Sequence, residues 1–259
     1  MPKINLKTAR RFKSPLGELQ AVKVNGGVWT RPPLASYYQS NIPLHLAFRN
    51  AEYNEDGLLI GIKNAGNQRQ IHDVGLNREP LTVINNGIVF TPDIPDGLTF
   101  NTPVQLYGST LMFAIDMTNI GSTQTIFSSL NNANGGYSLR MGSVQPNDSV
   151  FLTFVYSAGT GSQSVTNYPS PRFIIPRRWA IFEVDIFNNN VYLRINGQQV
   201  SQGTISFPSF QLNQIGSGWG GQRLHAQVGE IIKLTTGANY AAALLASRQY
   251  LARQYGIAL

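Results

Sequence analysis

The sequence predicts an all-β protein: an antiparallel β-sandwich closed by one C-terminal helix and preceded by a basic arm with a small hairpin. Three observations carry this. From Thr82 onward, short runs rich in β-branched and aromatic residues recur, separated by clusters of Gly, Asn, Pro or Ser and with no helical pattern between them. Only 13% of the 259 residues are charged, too few to clothe the outer faces of a helical bundle. The one clear amphipathic helical pattern falls at the end of the chain, between Asn239 and Gly256.

The arm comes first. The net charge is +7, and residues 1–33 hold Lys3, Lys7, Arg10, Arg11, Lys13, Lys23 and Arg31 against Glu18 alone, while residues 34–259 are nearly neutral. A concentrated positive segment suits docking on an acidic protein surface, on nucleic acid or on anionic lipid. It lacks the interleaved aromatics of single-strand binders, so no specific nucleic-acid recognition is expected. Its end, QAVKVNGGVWTRPP, places Val22 and Val24 before the turn residues Asn25-Gly26-Gly27. Val28 and Trp29 resume the strand and Pro32-Pro33 stop it, which predicts a hairpin followed by a linker.

Residues 34–259 read as one unit. Pro43 to Phe48 and Gly57 to Ile62 are apolar pieces in a mixed stretch. After Thr82 come VINNGIVF, TLMFAIDM, QTIFSSL, GYSLRMG, VFLTFVYS, RFIIP, WAIFEVDIF, VYLRING, GTISF and VGEIIKL, each a strand candidate. In the terminal helix the side chain of Asn239 is expected to cap the first turn. Tyr240, Leu244, Leu251 and Tyr255 share a face, and Gly256 ends it. No run is long and apolar enough to span a bilayer, and the N-terminus lacks a signal-peptide core, so a soluble product made in a cytoplasm is expected. There is no cysteine, which excludes disulfides and thiolate metal sites.

The chemical motifs are few. Glu183 and Asp185 lie two apart on a predicted strand and so share a face, roughly 6.6 Å apart along the backbone. This resembles the Glu-x-Asp strand of laminarinase-type glucanases, whose further Glu is the acid/base. Here that position is Phe187 or Asn188, neither of which can protonate a leaving oxygen. GSGWGG, Gly216 to Gly221, matches G-x-G-x-x-G but runs into strand-like sequence instead of a helix, so it reads as a glycine turn presenting Trp219. His45, His72 and His225 have no metal-ligand spacing, and Asp93 and Asp96 fit an ordinary proline-containing loop. No metal and no cofactor are expected.

Taken in order, TLMFAIDM, TIFSS, GGYSLRM, VFLTFVY, RRWAIFEVDIFNNNVYLRINGQQV, LNQIGSGWGG and VGEIIKL resemble the concanavalin A-like, laminin-G-type lectin superfamily. The resemblance implies a concanavalin A-like jelly roll. In it, Phe182 to Val200 is a central hairpin with Asn188-Asn189-Asn190 at its tip, a further turn follows at Asn196-Gly197, and Trp179 packs in or beside the core. The closing YLARQYGI is similar to the end of such domains in bacteriophage and bacterial surface proteins, and VKVNGGVW resembles an N-terminal hairpin of phage structural proteins. These likenesses imply a non-enzymatic bacteriophage virion protein, made in the host cytoplasm. Its residues 1–33 would anchor to other virion proteins, through Lys3, Lys7, Arg10, Arg11, Lys13 and Trp29. Its sandwich would be displayed as a tail or receptor-binding appendage or a capsid decoration. A homo-oligomer is expected on a symmetric particle. For a host surface glycan, the candidate binding residues are Trp219, Tyr168, Asn189 and Arg223, because stacking and amide or guanidinium hydrogen bonding suit sugars. The alternative expectation is a polysaccharide-degrading hydrolase using Glu183 and Asp185.

Overall fold

A computed structural model describes residues 10–11, 21–24, 27–30, 34, 37–38, 40–66, 74–76, 81–84, 86–91, 97–116, 123–129, 135–144, 149–158, 161–167, 179–205, 211–216 and 223–259. The arm contributes β1 (Arg10–Arg11), β2 (Ala21–Val24) and β3 (Gly27–Thr30), which pair only with one another among the described residues. Val24 lies opposite Gly27, so the expected hairpin forms.

The larger sheet system opens with β4 (Leu44–Tyr53), β5 (Leu59–Asn64), β6 (Val74–Leu76), β7 (Thr82–Ile84) and β8 (Gly87–Phe90). Next come β9 (Leu98–Gln105), β10 (Ser109–Asp116), β11 (Gln124–Ser128), β12 (Gly135–Val144), β13 (Ser149–Ala158) and β14 (Gly161–Asn167). Then β15 (Trp179–Phe187), β16 (Asn190–Ile195), β17 (Gln198–Thr204), β18 (Gln211–Ile215) and β19 (Ala226–Thr235) lead into the helix α1 (Tyr240–Tyr255). RFIIP, the Asp93–Asp96 loop and the end of the GTISF run lie outside the described residues; the described part of GTISF is strand as far as Thr204.

Neighbouring strands are antiparallel throughout, in the order β14-β13-β12-β11-β18-β9-β6-β5-β4-β19-β10-β15-β16-β17, with β8 alongside β19. The path doubles back at β4, whose register with β5 jumps between Leu46 and Ala51, so one strand serves both layers. Between the layers, Phe113 meets Phe127 at 4.8 Å and Phe182 at 5.7 Å, both edge to face. Leu139, Phe154, Val184, Leu193, Leu212 and Ile231 complete that core.

One layer is buried on both sides. Leu111, Phe113 and Ile115 of β10 enter the core, while Met112 and Ala114 turn outward against Ile181, Ile232, Leu234 and the helix residues Ala243, Leu251 and Tyr255. This is why TLMFAIDM and WAIFEVDIF are almost continuously apolar where a half-exposed strand would alternate. The helix presents the predicted face: Leu251 and Tyr255 are buried, and Tyr240 and Leu244 pack at its margin. Trp179 stacks on Tyr255, 4.5 Å between ring centres.

The turns follow the sequence closely. Asn188 and Asn189 both take positive φ, 48° and 63°, in a two-residue loop between Phe187 and Asn190. Asparagine tolerates this left-handed pair, which matches the twist of the flanking strands. Gly256 ends α1 at φ 64°, and the carbonyl of Ala252 accepts from the N–H groups of Gly256 and Ile257. The expected cap at the other end does not form. Asn239 lies at φ −113°, ψ 20° and its side chain makes no capping bond; its backbone carbonyl accepts from the Ala243 N–H instead.

The second cluster contains a close approach that only glycine permits. A Cβ on Gly229 would stand 2.5 Å from Tyr255 Cζ. The Tyr255 hydroxyl accepts from the Glu230 N–H at 2.7 Å and donates to the Asn86 carbonyl at 2.9 Å. Gly229→Ala is therefore expected to destabilise the fold by about 3 kcal/mol, from overpacking plus displaced hydrogen bonds, measured by urea denaturation. Lys233 supplies a pH test. It is 6% exposed, paired in register with Leu111 and Leu44, and burial pushes its ammonium down to about 8. The unfolded chain then binds more protons than the folded one between that value and 10.5, so stability rises with pH across this window. Burial also raises the Tyr240 and Tyr255 phenols, which reverses the trend once unfolded tyrosines ionise above about pH 10. Lys233→Met is expected to flatten the rise between pH 8 and 10 in denaturation curves.

Candidate functional site

The paired carboxylates come first. Phe182, Val184 and Ile186 of β15 enter the core, so Glu183 and Asp185 take the outer face, as their spacing predicts. That face is roofed by α1. Glu183 is 0% exposed, and both of its oxygens are engaged by Arg248 of the helix: Nε–H to Oε1 and Nη2–H to Oε2, each at 2.7 Å. This fork-to-fork pair raises the Arg248 guanidinium above its ordinary value, the hydrogen bonds to Glu183 outweighing the opposing effect of burial. Asp185, 2% exposed, accepts from the Thr110 hydroxyl at 2.6 Å and pairs with Arg194 of β16. The Tyr240 hydroxyl joins Thr110, and its phenol is pushed up, chiefly by burial. Phe187, where the glucanase pattern would need a carboxylate, sets its ring against Tyr240, with centres 5.9 Å apart.

Each carboxylate thus has its own guanidinium beneath a helix. What this arrangement does is orient: a bidentate contact fixes α1 in rotation and translation on the sheet, and a mispositioned helix would leave a buried charge.

A second polar constellation carries no sequence signal. His45 on β4 is fully buried; its Nε2 is 2.6 Å from Glu230 Oε2 and its Nδ1 is 2.7 Å from the Tyr38 hydroxyl. Its backbone N–H donates to Asn64 Oδ1 at 2.9 Å, and the Tyr250 ring of α1 stands edge-on to the imidazole at 5.6 Å. His45 and Glu230 are 185 positions apart, so only the pairing of β4 with β19 brings them together. His225 lies elsewhere, its N–H bonded to Gln124 Oε1, and His72 falls outside the described residues. Among the described residues no group of three His, Cys, Asp or Glu side chains could hold a metal ion, and no helix is long and apolar enough to cross a membrane.

The glycan candidates separate. Asn189 is exposed at the tip of the β15–β16 hairpin, at the pole where Ser109 opens β10 opposite Ile186. Arg223 precedes β19, at the pole where Asp116 ends β10 opposite Gln227. Eight residues of strand lie between the poles, roughly 24 Å, so these two serve different surfaces. At the Arg223 pole the start of GSGWGG is fixed: Gly216 holds φ 85°, and Phe90 Cε1 would lie 2.2 Å from a Cβ there. A strand, β19, follows the motif, as predicted, so no helix N-terminus is available for a pyrophosphate. Trp219, Tyr168, Lys3, Lys7 and Lys13 lie outside the described residues; Arg10 and Arg11 form β1, and Trp29 is in β3.

No protein-family model matches the chain, and no curated protein matches it by sequence. Among solved structures, the fold is similar to a GH54 α-L-arabinofuranosidase, at 8% identity and TM-score 0.55, covering 84% of this chain and 64% of that one. It is similar also to an arabinofuranosidase complexed with arabinofuranosyl-α-1,2-xylobiose, at 11% identity and TM-score 0.54, covering 76% of this chain and 51% of that one. Domains LG4-5 of the mouse laminin α1 chain align at 12% identity and TM-score 0.42, over 61% of this chain and 44% of that one. The chain therefore spans less than two thirds of each. At such identities the likeness is one of fold, a β-sandwich consistent with the concanavalin A-like class.

The ion pair yields a double-mutant test. Arg248→Ala strands a buried carboxylate and is expected to cost about 3 kcal/mol. Glu183→Gln combined with Arg248→Met should recover a substantial part of that loss, read from urea midpoints in a thermodynamic cycle.

Proposed function

We propose that the chain is a non-enzymatic structural protein of a bacteriophage virion. Residues 1–33 anchor it to other virion proteins, and the sandwich is displayed outward as a tail or receptor-binding appendage or a capsid decoration. Its ligand on this reading is a host surface glycan. The observation that carries the non-catalytic part is the closure of Glu183 and Asp185 by Arg248 and Arg194 beneath α1. A glycosidase needs one carboxylate free to attack and another able to give a proton, on either side of an accessible bond. Here both are spent on guanidinium partners.

The virion part rests on sequence. YLARQYGI falls on the last turns of α1 and VKVNGGVW spans the β2–β3 hairpin, and these two stretches carry the likeness to phage proteins. The excess positive charge of the arm lies in a segment whose strands pair apart from the sandwich, as suits an anchor that docks on an acidic neighbour. For the glycan, the candidate stacking residue is Trp219 of the glycine-rich GSGWGG motif and the candidate hydrogen-bonding residue is Arg223. Tyr168 and Asn189 are further candidates, and a homo-oligomer would multiply weak contacts on a symmetric particle.

Three measurements test this reading. Deleting residues 1–33 is expected to abolish incorporation into particles while the sandwich still folds; unchanged incorporation refutes the anchor. On a glycan array the native protein should bind and Trp219→Ala should lose at least tenfold, the scale of one stacking contact. Release of reducing ends from host capsule or β-glucan, abolished by Glu183→Gln, would instead establish the hydrolase.

A further inference from the structure

We infer that α1 carries a second binding site on its outer side, for a single sugar unit bearing a carboxylate. The inference rests on the reading of the chain as a glycan-binding display protein, but it places recognition where no lectin-type loop is involved. A cavity of about 340 Å³ opens there, lined among the described residues by Ala246, Gln249, Tyr250, Arg253 and Gln254. These positions repeat at three and four residues, so they form one stripe along the helix beside the stripe that buries Ala243, Ser247 and Leu251. The volume lies at the lower end of the range of small-molecule pockets, which suits one monosaccharide and not a chain.

The lining is matched to such a unit. Tyr250 gives an aromatic surface for the apolar face of a sugar ring, and Ala246 leaves space beside it. The carboxamides of Gln249 and Gln254 can each donate to and accept from hydroxyls. Arg253 is exposed and has no ion-pair partner among the described residues, and none of these lining residues is acidic. Its planar fork is suited to a carboxylate, which a neutral sugar would not offer.

The platform is held from behind. Tyr250 meets the edge of His45, and His45 is itself fixed by Glu230 on one nitrogen and Tyr38 on the other. Enclosing a His–Glu pair carries a desolvation cost, and the apolar core between the layers is complete without it. Its structural consequence is a locked imidazole against which the Tyr250 ring cannot swing inward. A binding surface whose aromatic group is immobilised by a second layer of contacts loses little entropy on binding.

The test is ligand-observed NMR titration of the full chain with glucuronate, glucose and glucose 6-phosphate, in native protein and in Arg253→Gln and Gln249→Trp. Gln249 and Arg253 are both exposed, so the two substitutions are expected to preserve folding, which the thermal midpoint of each variant confirms. Native protein should prefer glucuronate over glucose by at least tenfold, the scale of one charge-assisted hydrogen bond. Arg253→Gln should erase that preference, and Gln249→Trp should block both sugars. A preference for glucose 6-phosphate over glucuronate overturns the carboxylate assignment, and glucuronate binding unaffected by Arg253→Gln overturns the site. Array binding lost in Trp219→Ala, together with glucuronate titration that Arg253→Gln leaves unaltered, leaves the proposed function standing and removes this inference alone. Silence from every sugar and every array feature removes both.

Discussion

The seating of α1 on the outer face of β10, β15 and β19 is the constraint on which the rest of the molecule depends. That face is apolar at Met112, Ala114, Ile181, Ile232 and Leu234, and exposing it would leave one layer of the sandwich with an oily back. Hydrophobic contact alone would let a helix slide or rotate. Three directional contacts prevent this: Arg248 forked onto Glu183, Tyr255 wedged over Gly229 with both hydrogen-bonding capacities used, and Tyr240 against Phe187. They are spread from one end of the helix to the other. The 16 residues of α1 rise roughly 24 Å, the same length as the eight residues of β10 beneath it.

The same seating engages both carboxylates of β15: Glu183 takes Arg248 of the helix, and Asp185 takes Arg194 of β16. The separation of Asn189 from Arg223 follows from strand length, since a sandwich places consecutive turns at alternate ends.

Much of the fold was legible in the sequence because its strands are locally consistent. The apolar runs at 109–116 and 179–187 announced strands, Asn188-Asn189 announced a tight loop, and Gly256 announced the helix end, each through backbone chemistry that acts within a few residues. Strand β14 was not legible: GSQSVTN has no apolar alternation, and it is a strand because β13 pairs with it along its whole length. The absent Asn239 cap has a similar cause. The residue type favours capping, but the backbone at φ −113°, ψ 20° does not present its side chain to the first turn. The site was less legible than the fold. Glu183 and Arg248 are 65 positions apart and His45 and Glu230 185 apart, and no local pattern encodes such partners. Nor could it encode the cavity beside Tyr250, where the sequence shows only the polar side of an ordinary amphipathic helix.

The entry of the chain into the sandwich at Leu44 and its exit at Gly256 lie at opposite poles, because α1 runs back along the full length of the sheet. Traction along the polypeptide between those points would pull the helix lengthwise across its bed. Such a pull would meet the contacts of Tyr240, Arg248 and Tyr255 together, because they are distributed over the whole length of the helix.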